Sequence, residues 1–141
     1  MRCIAGSCHC GGITFEFRLP EPGPMIAARE CGCAFCRTHG GTWTSHPEGT
    51  LTGRAREPER VNRYRFGHGT ADFYICRACG GVPFVVSKVD GQDRAVVNVN
   101  TFTNVSPDEV AISSTDFEGE GVEDRLARRS RNWIGRVDIF P

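Results

Sequence analysis

Cysteine placement constrains this chain more tightly than any other feature of it. Seven of the eight cysteines fall into three clusters: Cys8-His9-Cys10, Cys31-Gly32-Cys33-Ala34-Phe35-Cys36 and Cys76-Arg77-Ala78-Cys79. Only Cys3 stands apart. A disulfide framework belongs to secreted chains, and a C-x-C pair is poorly shaped to bridge to itself. Clustered cysteines suit a metal instead. Zinc takes thiolates at about 2.3 Å and prefers four tetrahedral ligands. The fold must therefore bring distant clusters to common points.

The spacing suggests how the clusters are shared. Phe73-Tyr74-Ile75 leads into Cys76-Arg77-Ala78-Cys79-Gly80-Gly81, and Val82 to Val86 leads out, which describes two strands joined by a zinc knuckle. Its glycines supply the positive φ that turns backbone amides toward sulfurs. A knuckle offers two sulfurs, and Cys8/Cys10, beside its own Gly11-Gly12 turn, is the natural partner pair. Cys8, Cys10, Cys76 and Cys79 then make a closed structural Cys₄ zinc site. Using Cys76 and Cys79 as a redox pair would require them to be free of metal. Cys31, Cys33 and Cys36 remain for a second zinc, with a fourth position that is either open, as in catalytic zinc, or closed by His39.

Three thiolates outweigh a dication, so this second ion is a weaker Lewis acid than a His₃ site. It is better suited to holding an incoming thiol as thiolate, the reactive form of sulfur. The expected chemistry is the making or breaking of a carbon–sulfur bond on a small thiol. Arg37 is a candidate carboxylate holder, His39 and His46 are candidate proton carriers, and Trp43 is a candidate pocket wall.

The rest of the chain reads as mainly β. Ile13, Phe15 and Phe17 alternate with polar residues, a strand with one apolar face. Further strands are expected over Met25 to Arg29, Thr42 to Thr44, Leu51 to Gly53, Val61 to Phe66 and Ala95 to Asn100. The triple cluster is expected in a loop. Glu123 to Ile134 is the one helix expected, with Leu126, Trp133 and Ile134 on one side. Its Arg125, Arg128, Arg129 and Arg131 form either an anion-binding patch or a solvated face. A length of 141 residues suits one domain, 1–141. Seventeen basic and seventeen acidic residues cancel, leaving no field to draw in nucleic acid. No apolar run is long enough to span a membrane, and no signal-peptide stretch opens the chain, so a cytoplasmic location is expected.

The motifs Ser7-Cys8-His9-Cys10-Gly11-Gly12, Cys31-Gly32-Cys33-Ala34-Phe35-Cys36-Arg37 and Cys76-Arg77-Ala78-Cys79-Gly80 resemble those of the glutathione-dependent formaldehyde-activating enzymes, also called the Gfa-like or centromere protein V family. The likeness runs from residue 7 to about Phe102, and the tail 103–141 diverges. It implies a compact β-tent of stacked small antiparallel sheets with two zinc ions per chain. It also implies a carbon–sulfur lyase that condenses formaldehyde with glutathione. By motif, Cys8, Cys10, Cys76 and Cys79 match the family's structural site, and Cys31, Cys33 and Cys36 its catalytic one. A non-catalytic module, in which both ions only hold loops, is the other reading.

Overall fold

A computed structural model describes residues 1–141. The chain forms β1 (Arg2–Ser7), β2 (Ile13–Leu19), β3 (Ile26–Cys31), α1 (Ala34–His39), β4 (Thr42–Thr44), β5 (Thr50–Ala55) and β6 (Val61–Tyr64). It continues through β7 (Ala71–Cys76), β8 (Phe84–Val89), β9 (Gln92–Asn98), β10 (Val110–Thr115), α2 (Val122–Asn132) and β11 (Arg136–Phe140). Mainly β is therefore right. A four-stranded sheet has the order β1-β2-β5-β11, and a seven-stranded sheet the order β10-β3-β4-β9-β8-β7-β6. Pairings are antiparallel except β10 with β3 and β11 with β5. These two parallel strands come from the C-terminal part of the chain, which thus builds one strand into each sheet.

The alternation in β2 has the expected consequence. Ile13, Phe15, Phe17 and Leu19 face inward with Ile4 and Leu51, and meet Phe84, Val86, Ala95 and Val97 of the larger sheet. The Phe15 and Phe84 rings meet edge-on, centroids 6.2 Å apart, the favoured geometry for aromatic pairs. The central strands β8 and β9 are covered on both faces. Phe84, Val86, Ala95 and Val97 point toward the small sheet, while Val85 and Val96 point away and pack with Cys36, Trp43 and Trp133. Strands buried on both sides read as continuous apolar runs, which accounts for Val82 to Val86 lacking alternation. The outer face of the larger sheet is where the site described below is built.

β1, β10 and β11 lie outside the expected strands, and elsewhere the differences from expectation are local. The triple cluster is not a loop throughout: Cys33 caps α1, its Sγ accepting the Cys36 amide, and Cys36 lies inside the helix. The strand after the knuckle starts at Phe84 and the following one ends at Asn98, where the chain tightens into a 3₁₀ turn held by the Asn98 side chain. The strand from Val61 stops at Tyr64. α2 ends at Asn132, because Ile134 leaves it to exchange backbone hydrogen bonds with Ala95 (2.8 and 3.4 Å). The chain then crosses to β11 through Gly135, where an added Cβ would sit 2.3 Å from the Pro47 carbonyl oxygen.

That crossing cannot relax by moving one flexible side chain, since the obstacle is backbone. Gly135→Ala should lower the unfolding free energy by about 1–3 kcal/mol, the ordinary cost of overpacking, as measured by urea denaturation. Unchanged stability would contradict the packing described.

Candidate metal centres and the adjoining cavity

Two groups of cysteines come together, and they are the two expected from spacing. Cys8, Cys10, Cys76 and Cys79 have their sulfurs all within 4.8 Å of one another, and so do Cys31, Cys33 and Cys36. Cys3 is exposed in β1 and belongs to neither.

The first group joins the turn between β1 and β2 to the turn between β7 and β8. The backbone shapes both turns: Cys8 donates to the Ile13 carbonyl at 2.9 Å, and Gly80 to that of Cys76 at 2.8 Å. Gly80 takes a φ of +79°, and Gly81 has no room for a side chain, since a Cβ there would lie 2.9 Å from that of Cys8. The Ile13 amide donates to the Cys8 Sγ at 3.2 Å. Sulfurs about 2.3 Å from a tetrahedral ion stand about 3.8 Å from each other. Here Cys8 Sγ and Cys10 Sγ are 3.8 Å apart, and Cys10 Sγ and Cys76 Sγ 3.5 Å, so the donor set fits such an ion.

The second group gathers at the start of α1. Cys31 ends β3, and its amide donates to the Gly41 carbonyl at 3.2 Å, closing the helix and its flanks into one loop. Gly32 donates to the Thr115 carbonyl at 2.7 Å, tying that loop to β10. Hydrogen bonds from Cys36 and Cys33 bring the Cys31 thiol down to about 6 against the cost of burial. The Cys36 thiol goes far the other way, raised first by its bond to Cys31 and then by burial. Cys33 is also raised, mainly by burial. The protein's own donors thus favour the thiolate at Cys31, and a cation bound by the trio would stabilise the other two. The same holds in the first group. Burial raises Cys8 to about 11. Cys79, despite burial, is lowered to about 6 by the Cys10 and Gly81 amides and the neighbouring thiols.

No fourth His, Cys, Asp or Glu joins the trio. His39 lies outside it, its ring 4.7 Å from that of Phe35 and 6.1 Å from that of Trp43. Its Nε2 is buried without a partner, and burial lowers its pKa. The aromatic stack, not the sulfur group, holds this ring. Arg37 is exposed, because the residue after buried Cys36 points about 100° away around the helix. His46 Nδ1 accepts the Glu48 amide at 3.1 Å, an ordinary turn contact.

The trio opens into a cavity of about 500 Å³, within the range of small-molecule sites. Trp43 lines it, as expected, with Phe66, Phe73 and Trp133. The other side is built from the tail: Thr115, the 117–121 segment, and Arg125, Arg128 and Arg129 of α2. Three of the four tail arginines are therefore not a solvated face; only Arg131 is exposed. Glu120 accepts from Arg128 (3.0 Å) and Arg125 (3.3 Å), which hold its carboxyl below the usual range. Arg125 also donates to the Phe117 carbonyl at 2.7 Å, and the Arg128 guanidinium lies 3.7 Å from the centre of the Phe117 ring. The histidine that lines the cavity is His68, whose Nε2 is 3.2 Å from the Glu120 carbonyl oxygen. Neither His68 nor Arg29, a further lining residue, carries a local motif. Only the pairing of strands brings them to the trio.

The protein is mainly β, with one closed four-cysteine group and one three-cysteine group facing a cavity, two donor sets that could each hold a metal ion. The family model for "Glutathione-dependent formaldehyde-activating enzyme" matches residues 3–119, and the chain belongs to that family. Among solved structures, the crystal structure of a Rhodobacter sphaeroides protein is similar, with a TM-score of 0.54 and 29% identity over 77% of this chain and 99% of that one. A search of curated proteins finds no match. No helix is long and apolar enough to cross a membrane.

The two groups should respond differently to loss of a sulfur. Structural zinc is worth about 10–16 kcal/mol, comparable with a domain's net stability of about 5–15 kcal/mol. Cys76→Ser should therefore yield protein unfolded by circular dichroism. Cys33→Ser should stay folded and lose one metal equivalent by elemental analysis. Equal loss of fold in both variants would contradict this division.

Proposed function

We infer that the protein performs zinc-dependent carbon–sulfur bond chemistry on glutathione or a glutathione–aldehyde adduct, in the manner its family's description indicates. The observation that carries this reading is the three-sulfur group with no fourth protein donor, facing a cavity of ligand size. Zinc held by Cys31, Cys33 and Cys36 would lower the pKa of a thiol entering that cavity, so that it arrives as the nucleophilic thiolate. In the addition direction a carbon–sulfur bond forms at the aldehyde carbon, the carbonyl π bond breaks, and the thiol's proton ends on the new hydroxyl. The reverse direction is a carbon–sulfur lyase step.

The chain's residues supply binding, exclusion of water and proton relay. Trp43, Phe73 and Trp133 form an apolar lining against which the reacting carbon lies dry. We assign to His68, which lines the cavity, the relay of the proton between thiol, solvent and product oxygen, a role the sequence suggested for His39 and His46. Cys8, Cys10, Cys76 and Cys79 would hold the other, structural zinc for shape alone. The module reading has no observation of its own in its favour, since a purely structural ion has no need of a cavity beside it.

The test is direct. Zinc-loaded protein is mixed with glutathione and formaldehyde, and S-hydroxymethylglutathione formation is followed by NMR exchange against the uncatalysed background. The expected result is acceleration abolished in Cys33→Ser and reduced about 10²–10⁴-fold in His68→Ala, the usual range for losing a general acid–base. Absence of both acceleration and glutathione binding in the intact protein would contradict the reading.

A further inference from the structure

The cavity holds more positive charge than its own acids neutralise. Of its four arginines, Arg125 and Arg128 share Glu120, whereas Arg29 and Arg129 make no ion pair within 4.0 Å. Glu118, the other acid of the lining, is exposed, and its amide donates to Asp116.

Arg129 is 93% buried, being only 7% exposed. Its Nη1 donates to the neutral hydroxyls of Thr70 (2.8 Å) and Ser87 (2.9 Å), its guanidinium lies 4.8 Å from the Trp133 ring centre, and its Nε has no partner. A buried guanidinium without an anion is costly, and such groups are ordinarily paired. Burial and the like charges of Arg128 and Arg125 lower its pKa to about 10, which still leaves it charged at neutral pH.

Arg29 has one weak contact of its own, to the Ser45 hydroxyl at 3.4 Å. It lies two residues before Cys31 on β3, so both side chains leave the same face of the strand, roughly 7 Å apart along it. Like Arg129, it has no carboxylate of the protein within 4.0 Å.

We propose that Arg29 and Arg129 form an anion-docking wall of the cavity, and that the thiol handled at the cysteine trio carries a carboxylate that rests there. The inference depends on the thiol chemistry above and narrows it: the substrate class is an acidic thiol, and neutral thiols are discriminated against. Arg129 comes from α2, beyond the residues 3–119 that the family model matches, and Arg29 from within them, so the tail supplies one half of the wall. The wall also explains why Glu120 binds Arg125 and Arg128. The single charge of Glu120 is engaged by those two, and no carboxylate of the protein reaches Arg29 or Arg129.

The two tryptophans of the chain, Trp43 and Trp133, both line the cavity, so intrinsic fluorescence reports binding. Zinc-loaded protein is titrated with glutathione, with glutathione dimethyl ester, and with S-methylglutathione, which keeps the carboxylates but lacks the thiol. Glutathione should bind at least about tenfold more tightly than the diester, the worth of one charged hydrogen bond. That ratio should collapse in Arg29→Gln, and in Arg129→Gln if circular dichroism shows it folded. Arg29 is only half-buried, so its variant decides the matter alone. Equal affinity for glutathione and the diester, or a ratio unchanged in Arg29→Gln, would overturn the docking wall while leaving the thiol reading intact. Equal affinity for glutathione and S-methylglutathione, with the diester weak, would uphold the wall and overturn direct engagement of the free thiol by the trio. Binding of none of the three would overturn both.

Discussion

The approach of sulfurs from opposite parts of the chain is the constraint on which this structure depends. Cys10 and Cys76 are 66 positions apart in sequence and 3.5 Å apart at Sγ, at the junction of the small sheet and the large one. Sulfurs this close repel once ionised, and the pKa pattern, with Cys79 low and Cys8 high, shows that the protein's own donors stabilise only part of that charge. A cation at the centre would turn the repulsion into a cross-link between the first hairpin and the knuckle, reinforcing the registration of the two sheets that the packing of Phe15 on Phe84 already marks.

Everything at the candidate site is built outward from the other side of that packing. β8 and β9 bury one set of side chains toward the small sheet and the alternate set toward the cavity. Val85 and Val96 are thus both core and pocket floor. Trp43 is shared between Cys36 and the aromatic cluster, and Arg129 is anchored on Ser87 of β8. The trio of cysteines gathers at the start of a short helix whose flanks are fastened through Cys31, Gly32, Gly41 and Thr115. Rigidity of this kind suits a site that must hold three thiolates in one orientation as ligands come and go.

Much of this was legible in the sequence. Cysteine spacing is a local signal with a strict geometric meaning, and both sulfur groups followed from it. The alternation at Ile13, Phe15 and Phe17 marked a half-buried strand for the same reason. What stayed hidden was non-local. β10 is largely exposed, so its residues carry no apolar period, and its parallel pairing with β3 depends on a long connection that no short window encodes. His39 looked like a ligand because it follows Cys36 by one helical turn, but Phe35 and Trp43 compete for its ring. The arginines of α2 were ambiguous between a wet face and an anion patch. Their meaning emerged only when the fold placed Glu120 beside two of them and left Arg129 buried among hydroxyls.

The central claim is a division of labour among seven cysteines, four closing one ion and three presenting another to a cavity. Metal analysis combined with zinc K-edge X-ray absorption on freshly purified protein tests it most directly. The account predicts two zinc ions per chain, with an average of between three and four sulfur neighbours each and a minor oxygen or nitrogen shell. A single zinc per chain, four sulfurs around every zinc, or disulfides among Cys31, Cys33 and Cys36 would contradict it.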